Sequence, residues 1–140
     1  MLSRTIVLDT NVLVSGAMKE GTPPGLLLAE ILRENVVMIT CPSIVSEYLE
    51  VFRRPKFKKW KFPPLWLEVL IENAIHLEKD PPVWHLPGPD RDDLVFLSLA
   101  HRQNATLVTG NLKDFPKKIC SKVNVVDAGT YLDWLYQSEA

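Results

Sequence analysis

Long hydrophobic runs, a cysteine framework and a phosphate-binding glycine motif are all missing from this chain, and each absence removes a class of protein. The longest apolar stretches are a few residues, against the roughly 20 needed to cross a bilayer, so no membrane segment is expected. The two cysteines, Cys41 and Cys120, have no C-x-x-C spacing and are too few for a secreted disulfide scaffold; both read as core thiols. No G-x-G-x-x-G follows the first predicted strand, which argues against a dinucleotide-binding enzyme. His76, His85 and His101 stand at no metal-ligand spacing and read as structural or surface residues. A net charge of −1 argues against a generic polyanion binder. Without repeats or low-complexity tracts, 140 residues of globular composition fit one domain with a real core. Met1 to Arg4 lead straight into that first strand, and a cytoplasmic location is the expectation.

What is present is organised around Thr5-Ile6-Val7-Leu8-Asp9-Thr10-Asn11. The β-branched apolar run Thr5 to Leu8 reads as a strand covered on both faces, and it stops at a carboxylate. Ligands in open parallel sheets bind beyond the carboxyl ends of the strands, so Asp9 faces the expected crevice. Val12 to Ala17 reads as apolar chain entering a glycine-containing connection. Leu26 to Arg33 then forms a helix with Asn35 as its stop, and Val36 to Ile39 forms a second strand. A strand-helix-strand unit of this kind makes the two strands parallel.

Ser43 is the expected N-cap of a second helix whose buried face carries Ile44, Val45, Tyr48, Leu49 and Phe52, with Glu47 beside it. A third helix is expected over Pro64 to Asn73, and Ile75 to Leu77 is either a short strand or that helix's end. The eleven prolines fall mostly between periodic segments, and Pro81 to Pro89 excludes regular structure. Leu94 to Ala100, apolar almost all round, predicts a helix buried against the sheet, with Asp90 and Asp93 in a capping-box-like arrangement at its start. Ala105 to Thr109 and Val123 to Val126 are further strands, and Tyr131, Leu132, Trp134 and Leu135 give a terminal helix its apolar face.

Charge is unevenly spread. Arg53, Arg54, Lys56, Lys58, Lys59 and Lys61 concentrate six of the sixteen bases in nine positions, leaving ten bases against seventeen acids elsewhere. With Phe57 and Trp60 interleaved, the stretch suits nucleic acid, cations for phosphates and rings for bases; a solvated linker with its aromatics turned inward is the plainer alternative. The acids at strand ends or in adjoining helices are Asp9, Glu47, Asp92 or Asp93, and Asp114. Carboxylates sharing one pocket raise one another's pKa unless a multivalent cation neutralises them, and an all-oxygen set favours Mg²⁺ or Mn²⁺ over zinc.

Ile6 to Asn11, Ser43 to Glu47, Asp90 to Asp93 with Phe96 to Ala100, and Leu107 to Phe115 follow in an order that resembles the PIN-domain family over nearly the whole chain. The resemblance is nearest to the branch of toxins from toxin–antitoxin pairs. It implies a three-layer α/β/α fold with a central parallel sheet of four to five strands, and a Mg²⁺- or Mn²⁺-dependent endoribonuclease. By position Asp9, Glu47, Asp93 and Asp114 match the family's acids, with Asp92 the alternative to Asp93. Asn11, Thr109 and Asn111 match supporting polar residues; some members carry Asp where this chain has Asn111, which bears on the number of metals. RNA, an antitoxin protein and a second copy of the chain are the implied partners. A catalytically silent RNA- or antitoxin-binding module, and a small-molecule metal phosphohydrolase, are the competing readings.

Overall fold

Thr5–Leu8 forms β1, the central strand of a sheet in which every pairing is parallel. β2 (Val37–Thr40) and β3 (Ile75–His76) lie on one side of it, β4 (Thr106–Val108) and β5 (Val125–Val126) on the other. The computed structural model describes residues 2–60, 65–88 and 92–139. Ile6, Val7 and Leu8 are each 0% exposed. Because successive strand residues point to opposite faces, three buried in a row mean that both faces of the sheet are covered, the α/β/α arrangement expected from the sequence.

Two helices, α1 (Thr10–Met18) and α2 (Pro23–Leu32), join β1 to β2. α3 (Pro42–Phe52), a 3-10 segment (Pro55–Trp60) and α4 (Leu65–Glu72) lead on to β3. α5 (Asp93–Arg102) packs on β1 and β4 and touches α3; its run Phe96 to Ala100 is buried without a break, as its all-round apolar sequence requires. A 3-10 turn (Leu112–Asp114) and α6 (Lys117–Cys120) precede β5, and α7 (Ala128–Glu139) closes the chain against α2. Both cysteines are free and buried.

Several local expectations shift. Val12 to Ala17 is helix α1 rather than a connection. Gly16 lies inside it because a Cβ there would stand 2.7 Å from Leu28 Cδ1, so the glycine lets α1 and α2 approach closely. α2 starts earlier than expected, with prolines in its first turn, where the missing N–H costs nothing. It ends before Asn35, as Glu34 takes a left-handed conformation (φ 66°) and Asn35 N–H donates back to Glu30 O at 3.0 Å. β2 is displaced by one residue, to Val37–Thr40, and Ile75–His76 is strand. The capping box falls partly outside the described residues, which do not include Asp90. Asp92 occupies the N-cap position of α5 without a side-chain cap bond.

Ser43 does not cap α3; Cys41 holds the N-cap position, and the cap comes from elsewhere in the chain. Asp80 accepts the Ser43 N–H at 2.8 Å on one oxygen and the Ser43 hydroxyl on the other. These bonds to Ser43 hold the Asp80 carboxyl below its ordinary 3.8. A carboxylate at a helix start answers both orphan N–H groups and the helix dipole. Asp80→Ala should therefore lower stability by about 1 kcal/mol. A depressed pKa puts that contribution above the unfolded value, so the difference between parent and variant should be full at neutral pH. It should vanish as the pH falls through the folded pKa, which paired chemical-denaturation curves across pH would show.

Candidate active site

β1 and β4 are adjacent, but the chain leaves β1 towards β2 on one side and leaves β4 towards β5 on the other. That reversal opens a crevice at their carboxyl ends, and Asp9 and Thr109 are the first residues beyond the two strands. Asp9 N–H donates to Val108 O at 2.9 Å, and its carbonyl accepts from Val12 N–H at 3.0 Å, so one residue ends the strand and starts α1. It stands at the N-cap position of α1 but its side chain makes no cap bond. Instead Oδ2 accepts from the Thr109 hydroxyl at 2.7 Å, in the interior. Asp9 is 6% exposed. Burial pushes its carboxyl above the ordinary 3.8 and the nearby charge of Asp114 adds to this, against the Thr109 hydroxyl and the N–H groups of Thr10 and Asn11.

A ring of polar contacts extends from this pair. Asn111 N–H donates to Thr109 Oγ1 at 3.1 Å, and Asn111 Nδ2 donates to Asp114 Oδ2 at 2.9 Å. Asn11 Oδ1 accepts the Gly110 N–H at 3.0 Å; a Cβ on Gly110 would lie 3.2 Å from that oxygen, so the glycine admits the carboxamide. Of the residues that the sequence marked separately, Thr109 bonds Asp9 directly, Asn111 and Asp114 follow behind Thr109, and Asn11 bonds the adjoining Gly110; Thr109, Asn111 and Asp114 do not line the cleft that Asp9 shares with Glu47.

Glu47 comes from α3, which is fastened to the end of β1 twice. The Thr10 hydroxyl donates to Glu47 Oε2, and the Tyr48 hydroxyl donates to Leu8 O. Tyr48 is fully buried, which drives its phenol pKa far up and keeps it a donor. Thr10 and Tyr48 were invisible as site residues because one reads as turn and the other as helix core. Glu50, one turn beyond Glu47, was also missed.

A cleft of about 430 Å³ opens beside these groups, lined among others by Asp9, Thr10, Asn11, Glu47, Glu50 and Asp92 and by Arg54, Lys56 and Phe57. Asp92, the alternative to Asp93, lines the cleft beside Asp9, Glu47 and Glu50; Asp93, the first residue of α5, is half-buried and is not among the lining residues. Arg53 is exposed and stands outside the cleft. Phe57 is 3% exposed, so it packs inward as the plainer alternative had it and offers no face to a base, while Lys56 Nζ sits 5.0 Å from its ring centroid. Lys61 and the side chains of Lys58, Lys59 and Trp60 lie outside the described residues.

The donor set fits a hard divalent cation. Its ligating atoms are oxygens, and Asp9 carries a burial penalty that a positive charge would relieve. Among the described residues no group of three or more His, Cys, Asp or Glu side chains is placed so that it could hold a metal ion. His76 is committed elsewhere, bonding Thr40 Oγ1 at 2.6 Å and Ile71 O at 2.8 Å.

The profile of the PIN domain family matches residues 5–113. An uncharacterized protein of Methanocaldococcus jannaschii is 29% identical over 108 residues, 76% of this chain and 70% of that protein. Among solved structures, VapBC2 from Rickettsia felis, bound to a DNA fragment from its promoter, superposes with a TM-score of 0.59 at 20% identity, over 86% of this chain and 96% of the other. FitAcB from Neisseria gonorrhoeae gives 0.53 at 15% identity, over 89% and 98%. At such identities the likeness is one of fold.

Proposed function

The chain belongs to the PIN-domain family, and from that premise we propose that it is a Mg²⁺- or Mn²⁺-dependent endoribonuclease, the toxin of a toxin–antitoxin pair. The observation that carries this reading is the buried strand-end carboxylate of Asp9, sharing one cleft with Glu47, Asp92, Arg54 and Lys56. Asp9, Glu47, Asp92 and Asp114 would hold the cation, with Asp93 as the alternative to Asp92. When bound, the cation stabilises charge on the phosphoryl oxygens and lowers the pKa of nearby water. The protein's own part is positioning: Thr109 fixes the Asp9 carboxylate, and Asn111 fixes Asp114. Asn111 also brings no charge where some family members have Asp, which weakens a second cation site. Arg54 and Lys56 offset the acids for an approaching polyanion. An antitoxin and a second copy of the chain are its expected partners.

Incubation with mixed RNA under Mg²⁺, Mn²⁺ and EDTA tests the proposal. Cleavage with either metal and none in EDTA supports it; RNA binding that ignores metal, without cleavage, favours the silent module instead. In the same assay Arg54→Gln with Lys56→Gln should raise KM. The salt dependence of RNA binding should become shallower by about 0.7 log units per log salt for each single-strand phosphate that no longer meets a cation. An unchanged slope would return the segment to a solvated linker.

A further inference from the structure

A second cavity, of about 300 Å³, opens at the amino ends of the strands, where the residues before β1, the start of β4 and the approach to β5 meet. Asp9 lies beyond the opposite, carboxyl end of β1, so the two sites are separate. The polar lining is Ser3, His101, Asn104, Thr106, Lys122 and Asn124, and it includes no carboxylate. That distinguishes it from the cleft, whose wall carries Asp9, Glu47, Glu50 and Asp92. Thr106 is 1% exposed; its Oγ1 accepts the Ser3 N–H at 2.9 Å, which leaves the hydroxyl proton for an acceptor. The Lys122 ammonium makes no ion pair among the described residues. The His101 ring meets Trp84 edge-on with centroids 5.5 Å apart, which restricts how it can turn. An ammonium, a buried hydroxyl and two carboxamides, drawn from different elements with nothing anionic among them, form a lining suited to an oxyanion.

We propose that this cavity binds a phosphate group, as the free ion or as the end group of a phosphomonoester. A terminal phosphate offers three strong acceptor oxygens and more than one negative charge, so it can take donors from several directions at once. Lysine supplies the point charge such a group needs, and the Thr106 hydroxyl and the amides supply direction. The volume stands at the small end of ligand pockets, which fits a phosphate carrying little else. Nothing in this site draws on the cleft or on a metal there.

The test is titration of the full chain with inorganic phosphate in EDTA, by calorimetry and thermal unfolding, against chloride and acetate at matched ionic strength. Phosphate should raise the unfolding midpoint progressively where chloride and acetate do not. Lys122 is an exposed turn residue, so its replacement leaves the core intact. Lys122→Gln should weaken phosphate binding by about 10-fold or more, and Lys122→Arg, which keeps the charge, should stay within about threefold of the parent. Arg54→Gln with Lys56→Gln, which alters the cleft, should leave phosphate affinity unchanged. Adenosine monophosphate, and one RNA oligomer with a 5′-phosphate or a 5′-hydroxyl, identify the source. Tighter binding of the nucleotide assigns a free mononucleotide; a preference for the phosphorylated oligomer that Lys122→Gln abolishes assigns an RNA end; inorganic phosphate alone assigns the free ion. Protection no greater than that of chloride or acetate, or a phosphate effect that survives Lys122→Gln undiminished, overturns the proposal and leaves the nuclease reading standing.

Discussion

Asp9→Asn should reduce RNA cleavage by at least about 100-fold while leaving the metal-free protein no less stable than the parent. The loss of activity follows from removing the one acid that is buried at the switch point of the sheet and bonded to Thr109. The stability outcome follows from the direction of its pKa. Burial, then the charge of Asp114, raises the folded value above 3.8, so at intermediate pH the folded protein holds a proton that the unfolded chain has released. Stability therefore falls as the pH rises through that window and stays reduced above it. Asparagine keeps an oxygen to accept from Thr109 and carries no charge. At neutral pH the variant should unfold no earlier than the parent and at a somewhat higher Tm; as the pH falls below the ordinary carboxylate range, where both forms of the parent are protonated, the gain should disappear. Added Mn²⁺ should protect the parent more than the variant. Thermal unfolding across pH, with and without Mn²⁺, read beside cleavage, checks each part. A variant that cuts RNA like the parent would remove Asp9 from the site.

A second large contrast is expected between neighbours. Asp92→Asn should lower Mn²⁺ affinity and cleavage by about 10- to 100-fold, while Asp93→Asn should leave both within about threefold of the parent. The interval from the family resemblance points to Asp93, but the cleft is lined by Asp92, one position before α5 begins. A helix start turns successive side chains by about 100°, so the two acids point in different directions and a change at one should not mimic a change at the other. Side-by-side titrations of the two variants decide it, and the reverse ranking would reinstate Asp93.

Interior strands and the most buried helix were the most legible parts of the fold, for a physical reason. Thr5 to Leu8 and Leu94 to Ala100 are apolar without alternation because neighbours cover them on all sides, and that condition is written into the residues themselves. Asp9 was legible because a charge ending such a strand has few structural uses. α1 was not, since it is covered by α2 on one side and meets α3 elsewhere, leaving little polar face to give a period. The cap of α3 by Asp80 and the hold of Thr10 on Glu47 were also hidden. Each joins residues 37 positions apart, and nothing local to either partner announces the other. Phe57 could be read either way until the packing placed it inward.

The bond from Thr109 to Asp9 spans 100 positions, and Asp114 stands further on still. β1, which carries Asp9 at its end, pairs with β2 early in the sequence but must wait for β4, about 100 positions further along, before Thr109 can reach that carboxylate. Closing so long a loop is slow, and it must precede any pairing that rewards it. Nascent chains that stop short of β4 have the first acid and Glu47 but neither the hydroxyl that aims the one nor the carboxylate that completes the set. Until β4 pairs with β1, Asp9 has no Thr109 hydroxyl to hold its carboxylate, so the connectivity of the sheet makes assembly of this site a late event in folding.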